Sequence, residues 1–254
     1  MRKLLIGLMV ISAITLTLGG LTGFMWFAFF GPVHLVNLNL NKSQVLWFDA
    51  GLSFMVFLQH SIMIRKSFRK SISWFIPEEI FRSFFAIVSG LTMLTAFIHW
   101  QPLPDTIFVA EGIWRLLFRG IFFASLLGTL WVLLTIWFYD PSGTLEVIYY
   151  LKGKPAAKNK VKADGLFLLI RHPIYILMIL MMWSYPEITT DRLLFNVLWT
   201  TWMLTASFLE ERDLIADHGK SYLNYRKRVP MFIPNGSSIS AIKERFRKGT
   251  GLSF

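Results

Sequence analysis

The densest set of groups able to do chemistry lies between Arg171 and Arg228. Arg171-His172-Pro173-Ile174-Tyr175 opens one apolar stretch, and Glu210-Glu211-Arg212-Asp213 closes the next. His218, Gly219, Tyr222 and Tyr225 follow, then Arg226-Lys227-Arg228-Val229-Pro230. If the two apolar stretches form an antiparallel hairpin, Arg171 and His172 face Glu210 or Glu211. A guanidinium, an imidazole and paired carboxylates beside an apolar cleft suit a zwitterionic, partly apolar ligand, with arginine for a carboxylate and glutamate for an ammonium or hydroxyls. The same residue types also serve as helix-end charges and interfacial anchors. Adjacent residues on a helix point about 100° apart. Glu210 is therefore expected to face the hairpin interior, with Glu211 towards the basic segment that follows.

A second polar group interrupts an apolar run at Gln59-His60-Ser61, with Arg65 close behind. His60 is a candidate base, although a histidine in such a run is more often a hydrogen-bonded structural residue. Gln59 and His60 both need partners there, and the hairpin is expected to supply them. The third group, His99-Trp100-Gln101-Pro102, reads as interfacial structure. Other chemistries are excluded or weak. With no Cys there is no thiolate nucleophile, disulfide or cysteine-ligated metal. There is no His-x-x-x-His pair, no acidic loop with calcium spacing, no Gly-rich phosphate loop and no nucleophile elbow, so no metal is expected. A channel would carry polar residues through several spans, whereas here they gather at the ends.

The elements that must position these groups are membrane helices. The chain has 254 residues, 54% of them hydrophobic and only 16% charged, with a mean hydropathy of +0.52. Soluble domains carry about 25% charged residues. A spanning helix needs about 20 apolar residues, and four runs qualify, at 4–30, 45–64, 84–100 and 113–138. The first is too long for a cleaved signal and is read as a retained span. Trp47, Trp100, Trp114 and Trp137 fall near proposed ends, as interfacial aromatics do. Two shorter arms, 174–185 and 193–209, make a helical hairpin that starts with Pro173 at its usual N1 position. The expected fold is an all-α polytopic membrane bundle of about four full spans plus a C-terminal hairpin, five to six membrane helices in all. It divides into a bundle with a cytoplasmic loop at 1–164, a hairpin and binding segment at 165–234, and a basic tail at 235–254.

Of the 26 Lys and Arg residues, all but Lys42, Arg115, Arg119 and Arg192 fall on one side of this arrangement. The positive-inside rule then puts both termini in the cytoplasm. The net charge of +11 reads as an orientation signal and an attraction to anionic membrane lipids rather than as a nucleic-acid surface. No residue pattern fixes an oligomeric state.

Taken in order, Arg171-His172-Pro173-x-Tyr175, the hairpin, Leu209-Glu210-Glu211-Arg212-Asp213-Leu214, His218-Gly219-x-x-Tyr222-x-x-Tyr225 and Val229-Pro230-Met231-x-Ile233-Pro234 resemble the integral-membrane methyltransferases. These include isoprenylcysteine carboxyl methyltransferase and the phospholipid N-methyltransferases. Gln59-His60-Ser61-x-Met63-x-Arg65, Pro77-Glu78, Arg82-Ser83 and Trp100-Gln101-Pro102 are similar to the nurim-like, methanethiol S-methyltransferase branch. The matches cover roughly residues 59–234.

This resemblance implies S-adenosylmethionine in a cytoplasm-facing pocket, lined by Arg171, His172, Pro173 and Tyr175 and, from the far side, by Glu210, Glu211, Tyr222 and Tyr225. It implies methyl transfer to a small hydrophobic or lipid-soluble acceptor, foremost a thiol, in a bacterial inner membrane. His60, Arg171 and Glu210 become the candidate catalytic groups: His60 or Glu210 for the acceptor's proton, and Arg171 to favour a thiolate or carboxylate. A non-catalytic nurim-like scaffold and a lipid or amine methyltransferase remain the alternatives. Phe167, Leu177 and His218 depart from the family pattern, which commonly has Tyr, Gly and Phe at those places.

Overall fold

A computed structural model of the chain describes residues 2–136, 142–153, 162–163, 165–236, 238–240 and 252–253. Trp137 and Phe138, at the end of the fourth expected span, lie outside these residues, as do much of the loop expected to be cytoplasmic and most of the basic tail. Among the described residues the chain is mostly helical, in the order α1 (Arg2–Phe30), α2 (Lys42–Met63), α3 (Lys66–Ser71), α4 (Glu78–His99), β1 (Thr106–Val109), α5 (Gly112–Ile136), α6 (Thr144–Leu151), β2 (Lys162–Ala163), a 3-10 turn (Gly165–Leu168), α7 (Pro173–Trp183), β3 (Glu187–Thr189), α8 (Thr190–His218), α9 (Lys220–Arg228) and β4 (Leu252–Ser253).

Among the described residues four helices are long and apolar enough to cross a membrane: Ile6–Phe30, Lys42–Met63, Glu78–His99 and Gly112–Thr135. They match the four runs expected from the sequence. Their large apolar side chains are extensively exposed, Leu116, Leu127 and Leu134 on α5 among them. Such faces would aggregate in water and are at rest in lipid. The chain is an integral membrane protein.

Helix ends follow local chemistry. Asn41 caps α2 in a reciprocal box with Gln44. Pro173 occupies the first turn of α7. α8 does not stop at the Glu210 cluster, as the second hairpin arm was expected to. No Gly or Pro interrupts it, so it runs on for 29 residues to His218 and ends at Gly219, whose φ of +53° suits glycine. The four charged residues from Glu210 to Asp213 therefore lie within the helix rather than at its end. The expected all-α fold also gains short antiparallel pairs. β1 pairs with β3, setting Phe108 against Ile188, and β2 pairs with β4.

The core is aromatic and sulfur-rich. Phe24, Phe27, Phe97, Trp100, Phe195 and Trp199 pack with Met181, Met182 and Met203. At the Trp100 end, the last turn of α1 is closed by side chains from elsewhere. Arg192 donates to the carbonyls of Phe27 (2.6 Å) and Ala28 (2.9 Å), Arg119 to that of Phe29 (2.7 Å), and the Tyr185 hydroxyl to that of Phe30 (3.3 Å). Those of Ala28, Phe29 and Phe30 are carbonyls that a helix end leaves without an intrahelical donor, whereas that of Phe27 also accepts from the Gly31 amide at 3.0 Å.

The expectation for Trp100 is corrected here. Trp47 is 78% exposed, as an interfacial ring would be, but Trp100 is 1% exposed. Its indole Nε1 donates to Asp191, which also accepts from the Leu103 amide. Gln101 is likewise buried, and its amide donates to Asp49. The His99–Pro102 segment is a structural knot, because buried backbone and indole donors need acceptors.

Candidate active site

The site lies at the opposite end of the bundle, where α7 begins and the second half of α8 passes α2 and α3. The start of α7 is held from outside the helix. The amides of Arg171 and His172 donate to the carbonyls of Pro230 (2.9 Å) and Met231 (3.2 Å). The segment after α9 thereby fixes the first turn of α7 against α8.

Two groups of residues result. The first is a buried ionic cluster around Glu211. Its Oε1 takes Nε of Arg171 and lies 3.3 Å from Nε2 of His172, while its Oε2 lies 3.5 Å from Nε of Arg226. Arg171 also donates through Nη1 to the carbonyls of Val229 and Arg226. Tyr222 hydrogen-bonds Glu211, and the Tyr225 hydroxyl donates to the Phe167 carbonyl at 2.6 Å. Burial alone would raise the Glu211 carboxyl, but the hydrogen bond and charge of Arg171, with His172 adding, hold it below the usual carboxylate range. Burial pulls His172 below the ordinary histidine value, against the Glu211 charge, so the ring is a neutral hydrogen-bonding partner near pH 7.

The second group surrounds an open cavity of about 470 Å³, within the range of about 300–1,000 Å³ usual for small-molecule sites. Tyr175 from α7, Glu210 from α8 and His60 from α2 all reach its wall. The Tyr175 hydroxyl donates to Oε2 of Glu210 at 3.1 Å. Burial pushes the Glu210 carboxyl above its usual range, with Tyr175 opposing and Glu211 and Asp213 adding. The His60 imidazole lies against the rings of Phe85 (5.1 Å) and Trp202 (5.4 Å) and makes no hydrogen bond among the described residues.

Glu210 meets α7 through Tyr175 and Glu211 meets the basic segment through Arg226, as the sequence suggested, but the more enclosed carboxylate is not the expected one. Glu211 is the enclosed one, with 6% of its side chain exposed, and Glu210, at 47%, opens on the cavity. The 100° step between neighbours on α8 separates them as expected, with the inner place going to Glu211 because Arg171 and Arg226 both converge there. The structure thus brings His60, Tyr175 and Glu210 together on the cavity. Arg171, His172, Glu211, Tyr222 and Tyr225 are brought together beside it, and Pro173 begins the helix that joins the groups. The partners of Gln59 are also corrected. They are Ser89 and Thr92 on α4, both at 3.1 Å, rather than the C-terminal helices.

Among the wall residues Lys66, Ala206 and Asp217 carry no motif in the sequence. Arg65 and Lys66 face Asp213 and Asp217 across the cavity, the first pair at 3.2 Å. On α8, Ala206, Glu210, Asp213 and Asp217 all reach the cavity, and their spacing of four, three and four is one helical stripe. Once α8 is known to continue past Glu210, that periodicity finds Asp217 and Ala206.

No family model matches the chain, and no solved structure matches it. Among curated proteins it is 34% identical over 216 residues to a methanethiol S-methyltransferase of Crocosphaera subtropica, covering 81% of this chain and 83% of that protein. It is 30% identical over 194 residues to methanethiol S-methyltransferase 2 of Bradyrhizobium diazoefficiens, covering 76% and 75%. Nurim of Xenopus laevis is 25% identical over 209 residues, covering 79% and 71%. A third of all residues shared over four-fifths of both chains, in a bundle of the expected architecture, makes this chain a member of the methanethiol S-methyltransferase family of membrane proteins.

Proposed function

We propose that this enzyme transfers a methyl group from S-adenosylmethionine to a small thiol, with methanethiol as the type acceptor, in the cavity between α2, α7 and α8. The observation that carries this reading is the meeting of Glu210, Tyr175 and His60, from three helices, on one cavity wall. The wall also fits the methyl donor chemically. Glu210, Asp213 and Asp217 suit its ammonium and ribose hydroxyls, Arg65 and Lys66 suit its carboxylate, and Ile64, Leu209 and Leu214 with the Tyr175 ring offer apolar area to its base.

When bound, S-adenosylmethionine supplies a methyl carbon on a sulfonium, and the acceptor sulfur bonds that carbon as the carbon–sulfonium bond breaks, so that only the thiol proton needs a taker. His60 is placed to take it, because its ring is on the wall and has no competing hydrogen bond among the described residues. Glu210 binds and orients positive charge. The Glu211 cluster positions Tyr175 and Glu210 by fixing the first turn of α7 against α8. Arg171 acts through this cluster, since Glu211 and two carbonyls already engage it. Aromatic rings around His60 keep water away from the reacting atoms.

In the same reading α7 and α8 form a membrane hairpin beside the four spans. Both termini face the cytoplasm of a bacterial inner membrane, as the distribution of Lys and Arg supports. The acceptor then arrives from the bilayer, and the donor from the cytoplasm.

Calorimetric binding of S-adenosylhomocysteine to detergent-purified protein tests this function. Micromolar binding, weakened tenfold or more by Glu210→Gln (about 1.4 kcal/mol), is expected. No binding at millimolar ligand by folded protein, in detergent and again in lipid, would leave a nurim-like scaffold as the reading.

A further inference from the structure

The cavity changes character along α8. At one end Arg65–Asp213 and Lys66–Asp217 carry two pairs of opposite charge. Tyr175 and Glu210 come next. At the other end the wall is His60, Ser61 and Ala206. Trp202, one turn before Ala206 on the same helix, stacks on Phe57 (4.7 Å between centroids, 14° between planes) and donates its Nε1 to Ser61 at 3.3 Å. Charge therefore falls from two ion pairs to an imidazole, a hydroxyl already bonded by an indole, and one methyl group. The other residues that α8 sends to the cavity are Leu, Glu and Asp, so Ala206 leaves the most room.

The charged end matches the amino-acid part of the proposed methyl donor. A neutral thiol of a few heavy atoms is favoured only where charge is absent and the proton acceptor is near, which is the His60–Ala206 end. We infer that Ala206 forms the floor of the acceptor subsite and that its single methyl limits the alkyl length of the thiols the enzyme accepts. This inference rests on the methyltransferase reading of the same cavity. It assigns Ala206 a part in choosing the acceptor, with no part in holding the donor.

The test compares Ala206→Gly, Ala206→Val and Ala206→Leu with the unchanged enzyme, using methanethiol, ethanethiol, 1-propanethiol and 1-butanethiol. S-adenosylhomocysteine affinity is measured in parallel by calorimetry. In a hydrophobic pocket one methylene changes kcat/KM by about tenfold or more. Ala206→Gly is expected to move the preference about one carbon longer. Ala206→Leu should lower kcat/KM for methanethiol at least tenfold, with S-adenosylhomocysteine affinity within about threefold of the unchanged protein. An unchanged chain-length profile in Ala206→Gly, which deletes one methyl and keeps the fold testable if Leu does not fit, overturns the inference. So does loss of S-adenosylhomocysteine binding in folded Ala206→Leu, which would put the residue against the donor. Failure of the unchanged protein to bind S-adenosylhomocysteine would instead defeat the methyltransferase reading itself.

Discussion

Leu177 fills the notch that Gly128 leaves on α5. A Cβ at residue 128 would stand 2.9 Å from the end of the Leu177 side chain. The bulk that Leu177 carries where the family commonly has Gly is thus spent between α5 and α7, off the cavity wall. Gly128→Ala should cost about 1 kcal/mol, since a Leu terminus can shift, and leave S-adenosylhomocysteine binding intact. Gly90→Ala should cost more, about 2–3 kcal/mol, because its Cβ would meet the backbone carbonyl of Leu16 on α1. Thermal unfolding of the two variants in one detergent checks the order.

Glu211 should matter to folding before it matters to turnover. Removing one member of a buried ion pair leaves the other charge uncompensated, at about 3–5 kcal/mol. Glu211→Gln strands Arg171 in this way, beside the neutral His172. A large fall in unfolding temperature is expected for it, and little change for Glu210→Gln, whose carboxylate already opens on the cavity. Equal unfolding temperatures would refute the division of labour between the two neighbours.

Cofactor binding should depend on pH through Glu210. Burial holds this carboxyl above its usual range, and only its ionised form attracts a cation. Affinity for S-adenosylmethionine should be full well above that raised value and weaken as pH falls through it. Glu210→Gln should flatten this dependence. Calorimetry across a pH series that descends towards the ordinary carboxylate range reads both curves.

His60→Ala should lower kcat by about 100-fold or more, the usual scale of proton-transfer assistance, and leave S-adenosylhomocysteine affinity nearly unchanged. The variant's rate should then climb with pH, because solution supplies the thiolate that His60 no longer makes. Equal loss of binding and of unfolding temperature would assign the ring to packing between Phe85 and Trp202.

Much of this was legible in the residues. Apolar run length alone placed α1, α2, α4 and α5, because a membrane span is a one-dimensional requirement. Pro173 announced the start of α7, and the contacts of Arg171 and His172 with Glu210 and Glu211 are those that an antiparallel arrangement of the two apolar stretches asks for. The rest depended on rotations and depths that no run length encodes. How enclosed Glu211 becomes is set by Arg171, which the Val229 carbonyl holds from 58 residues further along the chain. Trp100 has the composition of an interfacial ring and becomes a core residue because Asp191 waits for its indole. Ala206 is silent in sequence, since an alanine in a membrane helix is unremarked until its neighbours define a space.

The closure of α1 by Arg119, Tyr185 and Arg192 bears on biogenesis. A ribosome delivers the first helix long before residue 192, so its terminal carbonyls must stay with water or lipid headgroups until three later segments emerge. Insertion and locking are then separate events: the first span can enter the bilayer alone, but it gains its final partners only when the third quarter of the chain has been made. The protein is fastened from its end back to its beginning.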